Sequence, residues 1–332
     1  ERLAETYPLS PRAPEALLYA GENYEQADSL HKAAQAYMSI LFKYPQSDVV
    51  DRAQFAHANL LSHNNEPMKA AIAFDRLKIL NPNSPLIPEA QIHAAEQFLA
   101  AEEYQRAFDA AFYLLEQDRS HPLRLRAQFL MAQVHEARGD YSQAVQNLDR
   151  ILADRVEDDF AARTYTFKAE LLRKLGRYTQ ADSVLHKLVD GNYASPVIAA
   201  AAVDLSQSLQ SQRNYTASNE VVDKALSKVA PQDQAELRLI QADNRYLLEQ
   251  FLEAKTAYTQ LDFQKLSNKA AYFYRLGLVN IQLNDTQSAL RQFEVVLEDS
   301  SISHALRHYA SLEYARLLAE ENRVFQAIQF LH

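Results

Sequence analysis

Small side chains recur along this chain at a fixed spacing, and no other feature restricts its fold as strongly. One series advances by 37 residues five times and then by 36, 35 and 38: Ala33, Ala70, Ala107, Ala144, Ala181, Ser218, Ala254, Ala289 and Ala327. A second series lies twelve residues before the first: Gly21, Ala58, Ala95, Ala132, Ala169, Ser206, Ala242, Gly277 and Ala315. A repeat of this length predicts stacked supersecondary units.

Each unit has the pattern of two helices joined by a turn. In the fourth unit, apolar or small residues recur at helical spacing over residues 126–137 and again over 142–151, with Gly139 and Asp140 between them. Prolines fall near the first turn of a helix or between units, where they are tolerated. The sequence therefore predicts an all-α array of helical hairpins.

The small residues have a physical reason. Where two antiparallel helices cross closely, only Gly, Ala or Ser lets the backbones approach without overpacking the contact. Bulky residues four positions after the small residue of the second helix are expected to fill the space around the crossing, as with Tyr37, Phe74 and Phe293. A single hairpin cannot bury both of its faces, so stability must come from stacking neighbours.

Composition excludes several other classes of protein. Five glycines among 332 residues never cluster as a phosphate-binding loop requires, which disfavours Rossmann and P-loop enzymes. The absence of cysteine rules out thiol catalysis, disulfides and cysteine zinc sites. A net charge of −9 disfavours nucleic acid as the partner. No apolar run approaches the roughly 18 residues of a membrane span.

The pattern resembles the tetratricopeptide repeat. The first unit carries the likeness best, with Leu17, Gly21, Tyr24, Ala33, Tyr37, Ile40 and Pro45 at the family's positions. The resemblance implies an α-α superhelix, a tetratricopeptide solenoid of about nine helical hairpins. It also implies a non-enzymatic scaffold that binds proteins or peptides. The usual period is 34 residues, and here the longer period lengthens the link between units.

The exit sequence Tyr44-Pro45-Gln46-Ser47 and the long link are similar to those of bacterial cell-envelope members of the family, such as the BamD and CpoB groups. That likeness, which rests on residues 7–84, implies a periplasmic or outer-membrane-associated location. A cytoplasmic location stays open as the alternative.

We expect one array over residues 1–332 and no internal domain boundary. Residues 1–13 have the pattern of the end of a preceding repeat, residues 14–307 contain eight repeats, and residues 308–332 begin a truncated ninth. Neither end has the polar cap of a terminal repeat. The chain is therefore expected to be a fragment of a longer protein, and its open ends could allow homo-oligomers.

No residue pattern indicates catalysis, a cofactor or a metal site. His304 and His308 have helical metal-ligand spacing, but no third ligand or glutamate base accompanies them. Paired acids at 102–103, 158–159 and 320–321 fall at predicted turns or helix ends, where carboxylates are usually solvated. We therefore expect no enzyme activity in this chain.

The resemblance implies that first helices line a groove, and two rows of residues would then face it. The residue three before the first small position is apolar in every unit except the fifth, which has Thr166. The residue one after it is mostly acidic or amide. From these rows we expect partner contacts at Leu18, Phe55, Asn59, Ile92, Glu96, Phe129, Gln133, Glu170, Val203 and Tyr274.

Such a groove would suit a peptide with apolar anchors and some positive charge. The alternative is that stacking buries the apolar row between neighbouring first helices. A regulatory or targeting module of a larger enzyme or secretion machine, and a self-assembling scaffold, stay open as alternative functions.

Overall fold

The computed structural model describes residues 2–117, 121–154 and 156–329, and these are helical with no strand among them. The chain divides into two compact units, Glu1–Val156 and Glu157–His332. The division falls between the fourth and fifth hairpins, so each unit contains whole hairpins. The predicted fold class, an all-α solenoid of about nine consecutive helical hairpins, is confirmed. Residues 330–332, assigned to the last repeat, lie outside the described residues.

Unit 1 contains a short helix and four hairpins. A proline in the first turn begins α2, α5 and α7, and the second helix of the second hairpin is interrupted at Arg76, which separates α5 from α6. The helices are α1 Arg2–Thr6, α2 Ala13–Gln26, α3 Leu30–Lys43, α4 Val50–His63, α5 Pro67–Asp75, α6 Leu77–Leu80, α7 Ile87–Ala100, α8 Tyr104–Gln117, α9 Arg124–Ala137 and α10 Tyr141–Leu152.

Unit 2 contains five hairpins, with short 3-10 turns in two of the links, Pro231–Asp233 and Phe263–Lys265. The helices are α11 Asp158–Lys174, α12 Tyr178–Asp190, α13 Ser195–Ser211, α14 Tyr215–Leu226, α15 Ala235–Leu247, α16 Phe251–Thr259, α17 Lys269–Gln282, α18 Thr286–Glu298, α19 His304–Glu320 and α20 Val324–Gln329. The ninth hairpin begins before residue 308, because the Ser303 hydroxyl caps α19 by accepting from the backbone N–H of Leu306.

The small residues lie where the two helices of each hairpin meet, as predicted. All eighteen positions of the two series are buried. Bulky side chains close the space beside them, and Tyr37, Leu148 and Tyr258 are fully buried. The hairpin cores are therefore built on the two small series.

Two hairpins need glycine at the crossing rather than alanine. A Cβ added to Gly21 would lie 2.3 Å from the Tyr37 ring, and one added to Gly277 would lie 2.7 Å from the Phe293 ring. Real side chains do not approach so closely, so an alanine at either position would push a buried ring out of its place.

The turn inside every described hairpin has the same backbone geometry. The residue seven positions after the first small residue has a positive φ, between 53° and 80°. The next backbone N–H donates to the carbonyl five residues earlier at 2.7–3.0 Å, as in a Schellman motif. Glycine occupies this position in two turns; the nine residues are Asp28, Asn65, Glu102, Gly139, Gly176, Arg213, Glu249, Asn284 and Asn322.

Exchanging residues at this position should change stability with a predictable sign. Gly139 has φ +80° and no neighbour within 4 Å of an added Cβ, so Gly139→Ala should cost about 1–2 kcal/mol from backbone strain alone. Glu102→Gly relieves the same strain and should raise the melting temperature. The adjacent Ala101 has φ −87°, so Ala101→Gly should lower it. Equal shifts for the variants at 101 and 102 would contradict this explanation of the turns.

Candidate partner-binding face

In each hairpin the two predicted row positions are four residues apart on the first helix and so share one side of it, which we name the first-helix face. The apolar row is not uniformly exposed. Leu18 and Ile92 are buried, with 2% and 0% of their surface accessible. The others of the predicted apolar set are half-buried: Phe55, Phe129, Val203 and Tyr274.

Burial removes Leu18 and Ile92 from the residues that a partner on this face could touch. Both side chains belong to hydrophobic clusters of unit 1, Leu18 with the first hairpin and Ile92 with the second and third hairpins. At these two positions the apolar row is buried, as the alternative to an open groove predicted. The half-buried members keep part of their surface accessible.

The Phe55 ring packs against its neighbours and still keeps part of its surface accessible. Its ring meets Phe74 of the same hairpin edge-to-face at 5.3 Å between centroids, and His93 of the next first helix at 5.8 Å. Tyr274 in unit 2 packs similarly, 5.8 Å from Phe293. These rings are held in place by their own hairpins, which limits the ordering cost of presenting them to a partner.

The polar row differs from the expectation in its charge. Asn59, Glu96 and Gln133 are half-buried and Glu170 is exposed. Acids on this face pair with arginines of the neighbouring first helix, which the sequence analysis did not identify. The pairs are Glu22–Arg52 at 3.0 Å, Glu96–Arg126 at 2.5 Å, Asp204–Arg173 at 3.1 Å and Asp243–Arg275 at 3.2 Å.

Glu96 has a histidine beside it as well as its arginine. It accepts from Arg126 and lies 3.1 Å from a ring nitrogen of His93. Burial raises the pKa of Glu96, but His93 and Arg126 outweigh it and the net shift is downward. The carboxylate is therefore charged but already neutralised, and it offers a cationic partner less than an unpaired acid would.

Of the four pairs, the three that are partly exposed on both sides contribute little stability, about 0–1 kcal/mol each. A sequence signal for two of them exists, because Arg52 and Arg126 each follow their acid by 30 residues. The other two pairs have different spacings, so a search at one spacing would miss them.

Asp243 of unit 2 is the most buried carboxylate of the polar row. The Tyr258 hydroxyl donates to its Oδ1, and Arg275 lies 3.2 Å from its Oδ2. Desolvation outweighs both partners and raises the pKa of Asp243 to about 6. The buried site therefore disfavours the charged form of the Asp243 carboxylate.

Metal-ligand geometry is absent from the described residues. No three of their histidine, aspartate or glutamate side chains come together as metal ligands would. His304 and His308 lie exposed at the start of α19. No described helix is long and apolar enough to cross a membrane.

The charge on Asp243 should make stability fall as pH rises. The folded chain binds this proton more tightly than the unfolded chain between pH 4 and 6, so stability should fall across that range by up to about 3 kcal/mol and then level off. Asp243→Asn keeps an acceptor for Tyr258 and leaves Arg275, which is 40% exposed, to solvent. The variant should be more stable than the parent at pH 7.5. Its free energy of unfolding should no longer show the fall between pH 4 and 6 that Asp243 causes.

Urea denaturation from pH 4 to 8 measures both effects. Asp204→Asn is the matched control, because Asp204 also pairs with an arginine but is 48% exposed. If Asp243→Asn changes the pH dependence of the free energy of unfolding no more than Asp204→Asn does, the buried charge of Asp243 does not destabilise the fold.

Comparison with known proteins supports the fold assignment. Residues 15–47 and residues 129–181 match family models of the tetratricopeptide repeat. The first segment lies in the first hairpin, and the second extends from α9 to the start of α12. No curated protein sequence matches the chain.

Solved structures resemble the chain at low sequence identity. The C-terminal part of a TPR repeat-containing protein from Cytophaga hutchinsonii has a TM-score of 0.58 and 15% identity, over 76% of this chain and 97% of that chain. The apo form of RapI has a TM-score of 0.54 and 13% identity, over 96% of this chain and 95% of that chain. At these identities the likeness concerns the fold alone. The two matched segments identify tetratricopeptide repeats in the chain, and the solved structures share the fold of the hairpin array.

Proposed function

We propose that this chain is a non-enzymatic scaffold that binds a protein or peptide partner on its first-helix face. The observation that carries the proposal is that half-buried rings lie on first helices of both units, Phe55 and Phe129 in unit 1 and Tyr274 in unit 2. Phe55 is held in place by its packing against Phe74 and His93. A preformed surface of this kind binds with little loss of conformational entropy. Tetratricopeptide repeats mediate protein–protein interactions, which agrees with this function.

The partner-contacting set in this proposal consists of the predicted residues that keep accessible surface. These are Phe55, Asn59, Glu96, Phe129, Gln133, Glu170, Val203 and Tyr274. Apolar rings would anchor the partner, and the amides of Asn59 and Gln133 would bond its backbone or polar side chains. The carboxylates that are already paired with arginines would orient the partner more than they attract it.

A bacterial envelope assembly is the setting we propose, in the periplasm or at the outer membrane. Its support is the likeness of the Tyr44-Pro45-Gln46-Ser47 exit and the long links to envelope members of the family. Cell fractionation of the native protein would check it: recovery with cytoplasmic markers alone would contradict the envelope setting and leave the scaffold function standing.

Two arginines introduced on the first-helix face should block the partner. Asn59→Arg with Gln133→Arg places bulky cations on two first helices of unit 1 without removing a core side chain. We expect at least about ten-fold weaker binding of the partner, equal to about 1.4 kcal/mol, with helical content unchanged. The measurement is quantitative capture from a bacterial envelope extract, followed by titration of the captured protein.

The matched control carries the same charge on the second helices. Gln105 and Gln143 are exposed on α8 and α10 of the same unit. Gln105→Arg with Gln143→Arg should leave capture unchanged. If the two double variants capture the same proteins equally well, the first-helix face is not the binding surface.

A further inference from the structure

Three successive links of unit 1, which join α1 to α2, α3 to α4 and α6 to α7, have the same backbone structure. In each, proline is the second and serine the fourth of four residues, at 7–10, 44–47 and 81–84. The serine backbone N–H donates to the carbonyl of the residue before the proline, at 2.9–3.0 Å. Proline at the second position presets the backbone for such a turn. We name these three segments the proline turns.

Neighbouring proline turns leave a groove between them. The proline groove, between the turns at 7–10 and 44–47, has a volume of about 590 Å³. The acidic groove, between the turns at 44–47 and 81–84, has a volume of about 310 Å³. Ser47 and Asp48 line both grooves, so the two grooves meet at the middle turn.

Rings and an exposed leucine line the proline groove. Tyr44 is half-buried and packs against the hydrophobic cluster of the first hairpin, which holds its ring in place. Pro8 and Pro45 are exposed, and Leu9 has 97% of its surface accessible. Proline rings have little conformational freedom to lose when a partner binds. A groove with this lining suits an extended segment that contains prolines.

Side-chain oxygen atoms without protein partners line the acidic groove. Among the described residues, the side chains of Asp48, Asn81 and Asn83 have no hydrogen-bond or ion-pair partner. Asp51 adds a second carboxylate, and its Oδ2 accepts from the Ser84 hydroxyl at 2.6 Å. Carboxylate and amide oxygens accept hydrogen bonds from lysine and arginine, so the acidic groove can hold the end of a basic side chain.

The charges around the grooves favour a cation in the acidic groove. None of its described lining residues is a lysine or an arginine. Arg52, whose backbone N–H donates to Asp51, pairs its guanidinium with Glu22 at 3.0 Å. In the proline groove, Lys43 and Glu15 are both lining residues, and their charges offset each other. The excess negative charge of the two grooves therefore lies at the acidic groove.

We propose that the two grooves together bind an extended, proline-containing segment of a protein partner that carries an arginine or lysine beside its prolines. The prolines would lie in the proline groove against Tyr44 and Leu9, and the cation would enter the acidic groove and bond to Asp48. None of the lining residues belongs to the partner-contacting set of the first-helix face. The proline turns thus give the scaffold a second binding surface, and its assignment does not rest on the first.

Fluorescence anisotropy of a labelled peptide tests the proposal. The probe is a short amidated peptide of prolines and leucines with an arginine near each end, so that either chain direction places a cation at the acidic groove. We expect this peptide to bind in a saturable way. The same peptide with glutamate in place of arginine, and one with glycine in place of proline, should each bind at least about five-fold more weakly, because glutamate is repelled by Asp48 and glycine raises the ordering cost of the peptide.

Variants at exposed positions separate the grooves from general attraction to an acidic protein. Asp48→Asn should weaken the arginine peptide about two- to five-fold, the effect of one partly exposed ion pair. The matched control is Glu116→Gln, at an exposed acid on α8 of the same unit, which should change binding by less than two-fold. Leu9→Ser should weaken binding at least about two-fold through lost apolar contact. Leu252→Ser, at a leucine of unit 2 with 67% of its surface accessible, should not.

Absence of saturable binding by the arginine peptide, equal binding of the arginine and glutamate peptides, or equal effects of the variants at 48 and 116 would overturn the proposal. A loss of affinity in Leu252→Ser as large as that in Leu9→Ser would do the same. These results do not bear on the first-helix face, which Asn59→Arg with Gln133→Arg tests, because neither of those residues lines a groove between proline turns.

Discussion

The close approach of two antiparallel helices at a pair of small side chains is the constraint on which each hairpin depends. Ala132 and Ala144 of the fourth hairpin are both fully buried, and Leu148 and Ile151 fill the volume beside them. Glycine replaces alanine at residues 21 and 277, where an aromatic ring occupies the crossing. Because the first helix is held at a defined depth against the second, the residues three before and one after its small residue point to one face. The residues of the proposed partner-contacting set are therefore positioned by the same contact that stabilises the hairpin.

The turns show where sequence reasoning reaches its limit. Glycine at 139 and 176 indicated two of the nine turns, and asparagine or aspartate, which tolerate the left-handed region, occupies four more. Glu102, Arg213 and Glu249 adopt the same conformation with side chains that disfavour it. Packing of the flanking helices therefore imposes the turn, and the fixed spacing of the small residues predicts it better than the local residue type does.

The sequence predicted which residues share the first-helix face, but not which of them are exposed. Spacing placed Leu18 and Phe55 in the same row, yet one is buried and the other half-exposed, because burial depends on the side chains of neighbouring helices. The arginines that pair with acids of the first helices were missed since each belongs to a neighbouring hairpin.

Urea denaturation of crossing variants tests the central claim most directly. Ala132→Leu and Ala144→Leu enlarge fully buried residues at the fourth crossing, and each should destabilise by about 1–3 kcal/mol or more, the cost of overpacking. Ala137→Leu makes the same change at an exposed position at the end of the same first helix and should have little effect. If leucine at 132 or 144 is tolerated as well as leucine at 137, close helix contact at the small pair does not organise the hairpin.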